Sequence, residues 1–422
     1  MTAEVVVLNK QCVALAADSA ITTGDRKIFN TVNKVFALSK SQPVGIMVYG
    51  AAEVMGVPVE SVVKEFRRVQ GTREYPHLED YAAAFEDFLR TDKSLFNDSA
   101  RLHSLGDLAV SCIVSIQNKA ERKLGQRSGW GSPPREKARK ALLDTLAEGE
   151  AEVANAGPLQ IADLQTTRRR IEKQVASALG DAISWLREYF VVNAETARRL
   201  RTLVMCHFEC DVDSGCETGF VITGFGGQEV FPRLRAFELC CSAAGVHKTR
   251  RRQEVDISDT LRAQIAPFSQ IDVMATFVEG VSPSYKLAIL SFLDVFLREK
   301  ATQLRDADPP RAQEAQAVDT IAVELRQQVS GLLTRVAQRG FVAPLMHVVS
   351  SMPKEECALL AEALVNLTAL KRRASEEAET VGGPTDVAVI SKGDGFVWIK
   401  RKQYFEAALN PMFTARYTEA RQ

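Results

Sequence analysis

A threonine at position 2, an aspartate at 18 and a lysine at 34 follow one another at intervals of sixteen residues. Threonine is a small second residue, so removal of the initiator methionine is expected, leaving Thr2 with both its hydroxyl and a free α-amine. An α-amine titrates at about 7.7–8.0. Near neutral pH part of it is unprotonated and can take the proton from the hydroxyl of its own residue. That pairing is a recognised way to activate a threonine nucleophile. A nearby lysine lowers the pKa of both groups through its charge, and a carboxylate holds that lysine charged and oriented. Lys34 and Asp18 are the candidates for these two roles.

Such chemistry needs a chain end that does not move. Val5, Val6, Val7 and Leu8 form an apolar run that reads as a buried strand beginning almost at once. Cys12 to Ala16 is a second β-rich run, with Asn9, Lys10 and Gln11 as a tight hairpin between the two. Asp18 ends the second run and Lys34 opens a third, over Val32 to Leu38. A fourth strand covers Val44 to Val48, and the small-residue turn Gly50-Ala51-Ala52 leads into helical patterns over 58–69 and 78–95.

The motifs around these residues resemble the proteasome β-subunit family, including HslV-type peptidases. The phrase CVALAADSAIT carries Asp18 where that family has an aspartate, and Asn33-Lys34-Val35-Phe36 carries Lys34 at the place of its lysine. VYGAAE, from Val48 to Glu53, resembles the family's oxyanion turn, which assigns the donor N–H to Tyr49 or Gly50. GVSPSY, from Gly280 to Tyr285, supplies the supporting serine, Ser282 in preference to Ser284. GFVITGFGGQEVFPRL and TDVAVISKGDG resemble two further strand blocks of the family. The family's supporting aspartate has no clear counterpart, although Glu377 and Glu379 lie nearby, and Val381 stands where it has a serine.

The resemblance covers about half of the chain, and what it implies is specific. The fold would be α+β, a four-layer αββα N-terminal-nucleophile hydrolase sandwich with helical insertions. The sandwich would be built from 1–112, 206–300 and 346–422, with insertions at 113–205 and 301–345. The activity would be that of a threonine peptidase, needing no cofactor and no metal. The partners would be a protein or peptide substrate, further copies in a homo-oligomeric ring, and a separate ATP-dependent unfoldase, since the chain has no ATP-binding motif of its own. Two rivals share the scaffold: an amidase acting on a small or specialised substrate, and a non-catalytic structural ring subunit.

Bulk properties agree with a globular protein. The 422 residues are 46% hydrophobic and 25% charged. Acidic and basic residues balance at 53 each, so no overall field favours nucleic acid or an anionic membrane. No apolar run reaches the roughly 18–20 residues that span a bilayer. The first residues carry no charged-then-apolar signal pattern, so a cytoplasmic location is expected. The eight cysteines are expected as reduced thiols.

The region 113–205 is rich in Ala, Glu, Arg, Lys and Gln and predicts long amphipathic helices near 133–155, 158–190 and 194–208. Ser284 to Leu297 reads as a strongly apolar helix, 299–338 as a polar helical stretch, and Pro353 to Arg373 as a helix with acidic start and basic end, a polarity that suits the helix dipole. Cys206, His207, Cys210, Cys216 and His247 lack the C-x-x-C spacing of a zinc site and are expected to be structural. The basic run HKTRRR, from His247 to Arg252, has no interleaved aromatics and is expected to be a solvated loop rather than an RNA patch.

Overall fold

The computed structural model describes residues 3–23, 27–124, 135–159, 164–213, 217–243, 246–307, 312–375, 382–403 and 405–412. In chain order the strands are β1 (Glu4–Asn9), β2 (Val13–Ala17), β3 (Ile21–Thr23), β4 (Lys27–Phe29), β5 (Val35–Ala37), β6 (Val44–Gly50), β7 (Glu53–Val54), β8 (Val57–Pro58), β9 (Thr218–Gly224), β10 (Arg233–Ala243), β11 (Val246–Asp256), β12 (Ala263–Phe268), β13 (Asp386–Ser391) and β14 (Gly395–Lys400). The helices are α1 (Val59–Gln70), α2 (Leu78–Thr91), α3 (Asp98–Lys123), α4 (Arg135–Asn155), α5 (Leu164–Tyr189), α6 (Ala194–Glu209), α7 (Ile271–Glu279), α8 (Pro283–Ala307), α9 (Ala312–Ala337), α10 (Ala343–Val349) and α11 (Lys354–Arg373). The mixture of helices with antiparallel sheets agrees with the α+β expectation.

The chain divides into two compact units. The first holds residues 1–35, 230–232 and 256–422. Its sheet runs β12-β1-β2-β13-β14, with every pairing antiparallel. Alternation sorts the side chains: Val5 and Val7 of β1, Ala14 and Ala16 of β2, and Val387 and Val389 of β13 share one apolar cluster. Small residues on β2 let α11 lie close, and Cys357, Ala361, Leu364 and Val365 complete that cluster. All residues of β1 and β2 are buried, as expected for the opening run. β12 was not anticipated. It pairs Ala266 with Val6, so β1 has a hydrogen-bonded neighbour on both edges.

The second unit holds 36–229 and 233–255. Its sheet runs β11-β10-β9-β6-β5. Phe66, Phe85 and Phe88 of α1 and α2 meet Phe220 and Phe237 of the sheet, with Phe85 and Phe220 edge to face at 5.1 Å. Helices α3 to α6 share a core of their own, including Ile113, Leu142, Ile171, Leu186, Leu200 and Phe208, and Cys241 of β10 joins it. The three helices expected near 133–155, 158–190 and 194–208 are α4, α5 and α6.

Local expectations differ in three places. The third strand shrinks from 32–38 to Val35–Ala37. The β-rich runs Val230–Leu234 and Ala236–Cys241 read from the sequence as two short strands, but they form one, β10, because Phe231 and Pro232 precede the pairing that runs unbroken from Arg233↔Gly224 to Leu239↔Thr218. HKTRRR is no solvated loop but part of β11, paired beside β10. Charge misled there: Lys248 is buried, and its ammonium donates to the carbonyls of His207 at 2.8 Å and Val212 at 2.7 Å.

Candidate functional site

Asp18 follows β2 directly, where the chain leaves the sheet. Its backbone N–H donates to the Ala3 carbonyl at 3.1 Å, and the Ala3 N–H donates back to Asp18 Oδ1 at 3.2 Å. Asp18 Oδ2 accepts from the Gly382 N–H at 2.9 Å. Lys34 Nζ donates to Asp18 Oδ1 at 2.5 Å and lies 3.3 Å from Glu4 Oε1. The three charged side chains are nearly sealed from solvent, at 5% exposure for Lys34, 1% for Asp18 and 0% for Glu4. Charges buried this deeply persist only when paired and hydrogen-bonded, and the Asp18 carboxylate meets both conditions with one ammonium and two backbone amides.

The surrounding backbone fixes the loop that carries Lys34. The Ser19 N–H donates to the Gly382 carbonyl at 3.2 Å, its hydroxyl to the Pro384 carbonyl at 2.5 Å, and the Val32 N–H to the Ser19 carbonyl at 3.1 Å. Gly383 has φ +75°, and a Cβ there would stand 2.7 Å from the Asn30 carbonyl oxygen and 3.3 Å from the Ser19 Cβ. Only glycine allows this left-handed turn to press so close to the neighbouring chain. The segment before β13, the segment after β2 and the approach to β5 are thereby knotted around Asp18.

Thr2 lies outside the described residues. The next residue, Ala3, donates its backbone N–H to Asp18. The structure does bring Asp18 and Lys34 together, sixteen residues apart in sequence, as the spacing suggested. Glu377 and Glu379 also lie outside the described residues. Tyr49 and Gly50 belong to the second unit and close β6. The Tyr49 hydroxyl donates to Glu238 at 3.0 Å. Gly50, at φ +80°, pairs with Thr218, and a Cβ there would collide with the Glu217 carbonyl oxygen at 2.4 Å. Ser282 lies in the first unit, where its hydroxyl bonds as a helix cap does. Its hydroxyl accepts from the Tyr285 N–H at 3.1 Å and lies 3.1 Å from the Ser284 hydroxyl.

Glu4 was missed. It stands just before a run of valines, where a charged residue is ordinarily taken as the solvent end of a strand. The available signal was register: Glu4 pairs with Ala17, the residue before Asp18, which brings both carboxylates to the same end of the sheet. Both carboxylates therefore lie within ion-pair distance of the Lys34 ammonium.

The cysteine and histidine residues are arranged differently. Cys206 lies on α6, Cys210 caps it, and Cys216 is outside the described residues. His247 Nδ1 lies 2.9 Å from the Ser242 hydroxyl, and burial followed by the charge of Arg90 and Arg101 lowers its pKa to about 4. Burial, then the charge of Lys248, likewise lowers that of His207 to about 4.

No family model matches the chain, and no curated protein matches it either. The resemblance to proteasome β-subunits and HslV-type peptidases is corrected accordingly. Its best phrases, CVALAADSAIT and TDVAVISKGDG, contain β2 and β13, which pair with each other. Small and β-branched residues are what a buried antiparallel pair under a close-packed helix requires, whatever the family. Solved structures with a likeness to the chain include an Anbu (Gly-1) mutant from Hyphomicrobium sp. strain MC1, at 10% identity and TM-score 0.29 over 100% of this chain and 96% of that one. Anbu from the same strain shows 11% identity and TM-score 0.28, over 99% and 96%. Anbu (ancestral beta-subunit) from Yersinia bercovieri shows 9% identity and TM-score 0.27, again over 99% and 96%. Likeness at these TM-scores carries no argument for fold or activity.

Proposed function

We propose that the protein is an amide-bond hydrolase whose nucleophile is Thr2, exposed as the N-terminal residue by removal of Met1. One observation supports this above the others: the buried Lys34 ammonium, clamped by Asp18 and Glu4, sits in a cluster that also grips the backbone of residue 3. The neutral Thr2 α-amine takes the hydroxyl proton as the oxygen attacks the substrate carbonyl carbon. The tetrahedral intermediate collapses, the C–N bond breaks, and the leaving amine takes that proton. Water then hydrolyses the Thr2 ester, with the same α-amine as base. Lys34 lowers the pKa of the hydroxyl and the amine by its charge, and Asp18 keeps it in place. A peptide or protein substrate and the four-layer αββα arrangement belong to the same proposal.

The test begins with the intact mass of untagged protein and labelling by a threonine-directed β-lactone. The expected result is loss of one methionine and one label per chain, absent in Thr2→Ala. Retained Met1, or equal labelling of Thr2→Ala, removes Thr2 as nucleophile.

A further inference from the structure

Helices α8 and α9 are a pair of similar length, 25 and 26 residues, each roughly 37–39 Å long. They pack on each other, and Asp294 of α8 forms an ion pair with Arg326 of α9. From Leu287 to Leu297, eight of eleven residues are large and apolar, yet none is buried. Among the described residues of the two helices only Ala301 and Ala337 are buried. Leu293, Leu297, Leu325, Val329 and Leu333 are half-exposed as well. A helix this apolar is ordinarily interior.

The exposed apolar residues are ordered. Tyr285, Phe292 and Phe296 recur at intervals of seven and four on α8 and are 45–67% exposed. Ile321, Leu332 and Val336 recur at eleven and four on α9 and are 53–54% exposed. Both intervals return to one helix face. Single exposed apolar residues are common on a protein surface, but an ordered stripe on each of two helices that pack on one another is what an interaction site presents.

We propose that this face docks against the same face of a second copy, the two hairpins closing into a four-helix bundle. Two stripes of matched length, alongside a seam already shared by α8 and α9, are half of such a bundle. The missing half must offer two stripes of the same length and spacing, and a two-fold rotation of the same hairpin supplies them. The polar groups around the stripes favour this occupant. Arg298, Glu299 and Lys300 follow Phe296 with both signs of charge, which two copies can pair across the axis. Gln328, Thr334 and Arg335 lie exposed among the apolar residues of α9, where a bilayer offers them no partner. No single described helix is long and apolar enough to cross a membrane, although α7 together with most of α8 passes that test as a pair bent by 81°.

Sedimentation of the full chain at micromolar concentration tests this, with wild type beside Phe292→Asp/Phe296→Asp, Leu332→Glu as an independent variant, and phosphatidylcholine–phosphatidylglycerol vesicles as a further arm. All three substituted residues are at least 45% exposed, and circular dichroism verifies that the variants fold. The expected result is wild type at an even multiple of 46.4 kDa and both variants at half that mass, with self-association weakened by at least about 100-fold. A monomeric wild type, variants that assemble as wild type does, or a monomer that binds vesicles through these residues would each overturn the proposal.

Discussion

Replacing Asp18 by alanine removes the acceptor shared by Lys34 Nζ, the Ala3 N–H and the Gly382 N–H. Each amide left buried without a partner costs about 1–3 kcal/mol. Breaking a buried ion pair by deleting one side costs about 3–5 kcal/mol, because the other charge stays buried. The losses share one carboxylate and do not add. Glu4, 3.3 Å from the ammonium, retains part of the pairing, so the expected loss for Asp18→Ala is about 3–5 kcal/mol in total. Asp18→Asn keeps one carbonyl acceptor and loses less. Urea titration followed by Trp398 fluorescence, in a Trp130→Phe/Trp185→Phe background, reads the first unit, since Trp398 pairs with Ala388 in its sheet. With an m-value of about 2–3 kcal/mol per molar, the midpoint should fall by about 1–2.5 M. A loss below about 1 kcal/mol, the range of exposed ion pairs, would refute the reasoning that Asp18 is a sealed junction of three segments.

Three other perturbations follow from the same geometry. Gly383→Ala places a Cβ at φ +75° against the Asn30 carbonyl and should cost about 1–3 kcal/mol in the same urea titration. Arg101→Lys should cost about 2–3 kcal/mol in the thermal unfolding of the second unit, since the guanidinium donates to the carbonyls of Leu89, Asp92, Phe96 and Ser242 and one ammonium cannot reach them all. His207 and His247 have folded pKa values near 4, below the ordinary value of 6.5, so the unfolded chain takes up their protons first. Their contribution to stability is complete above pH 6.5 and is lost as pH falls from there toward 4. A His207→Gln/His247→Gln variant should show a flatter midpoint-versus-pH curve over that window.

Much of the first unit was legible in the chain because its signals are local. The β1–β2 hairpin, the β13 strand and α11 each announce themselves by period, turn residues and end residues within about twenty residues. The pairing of Asp18 with Lys34 was legible as well, since Asp18 ends one strand run and Lys34 opens the next. Glu4 was not legible as their third member. A carboxylate at a strand end is ordinarily solvated, and only the β1–β2 register turns it inward. β12 was missed because AQIAPF contains a proline, which argues against an interior strand. Here it pairs on one side with β1 and ends the sheet. β11 was missed because its arginines and lysine read as solvent-facing, while Lys248, Arg250 and Arg252 each find an acceptor in neighbouring segments.

The sequence by itself determined which segments are strands and which are helices across most of the chain, and it put a lysine and an aspartate at the edges of strand runs that meet in the fold. These are short-range consequences of side-chain periodicity, turn chemistry and capping. Tertiary structure alone decided which charges are sealed from water, that Gly382 arrives from 364 residues away to close over Asp18, and that the apolar run from Leu287 to Leu297 lies open rather than in a core. Burial depends on what the chain brings to each surface, and that is set by contacts between segments whose sequences carry no record of one another.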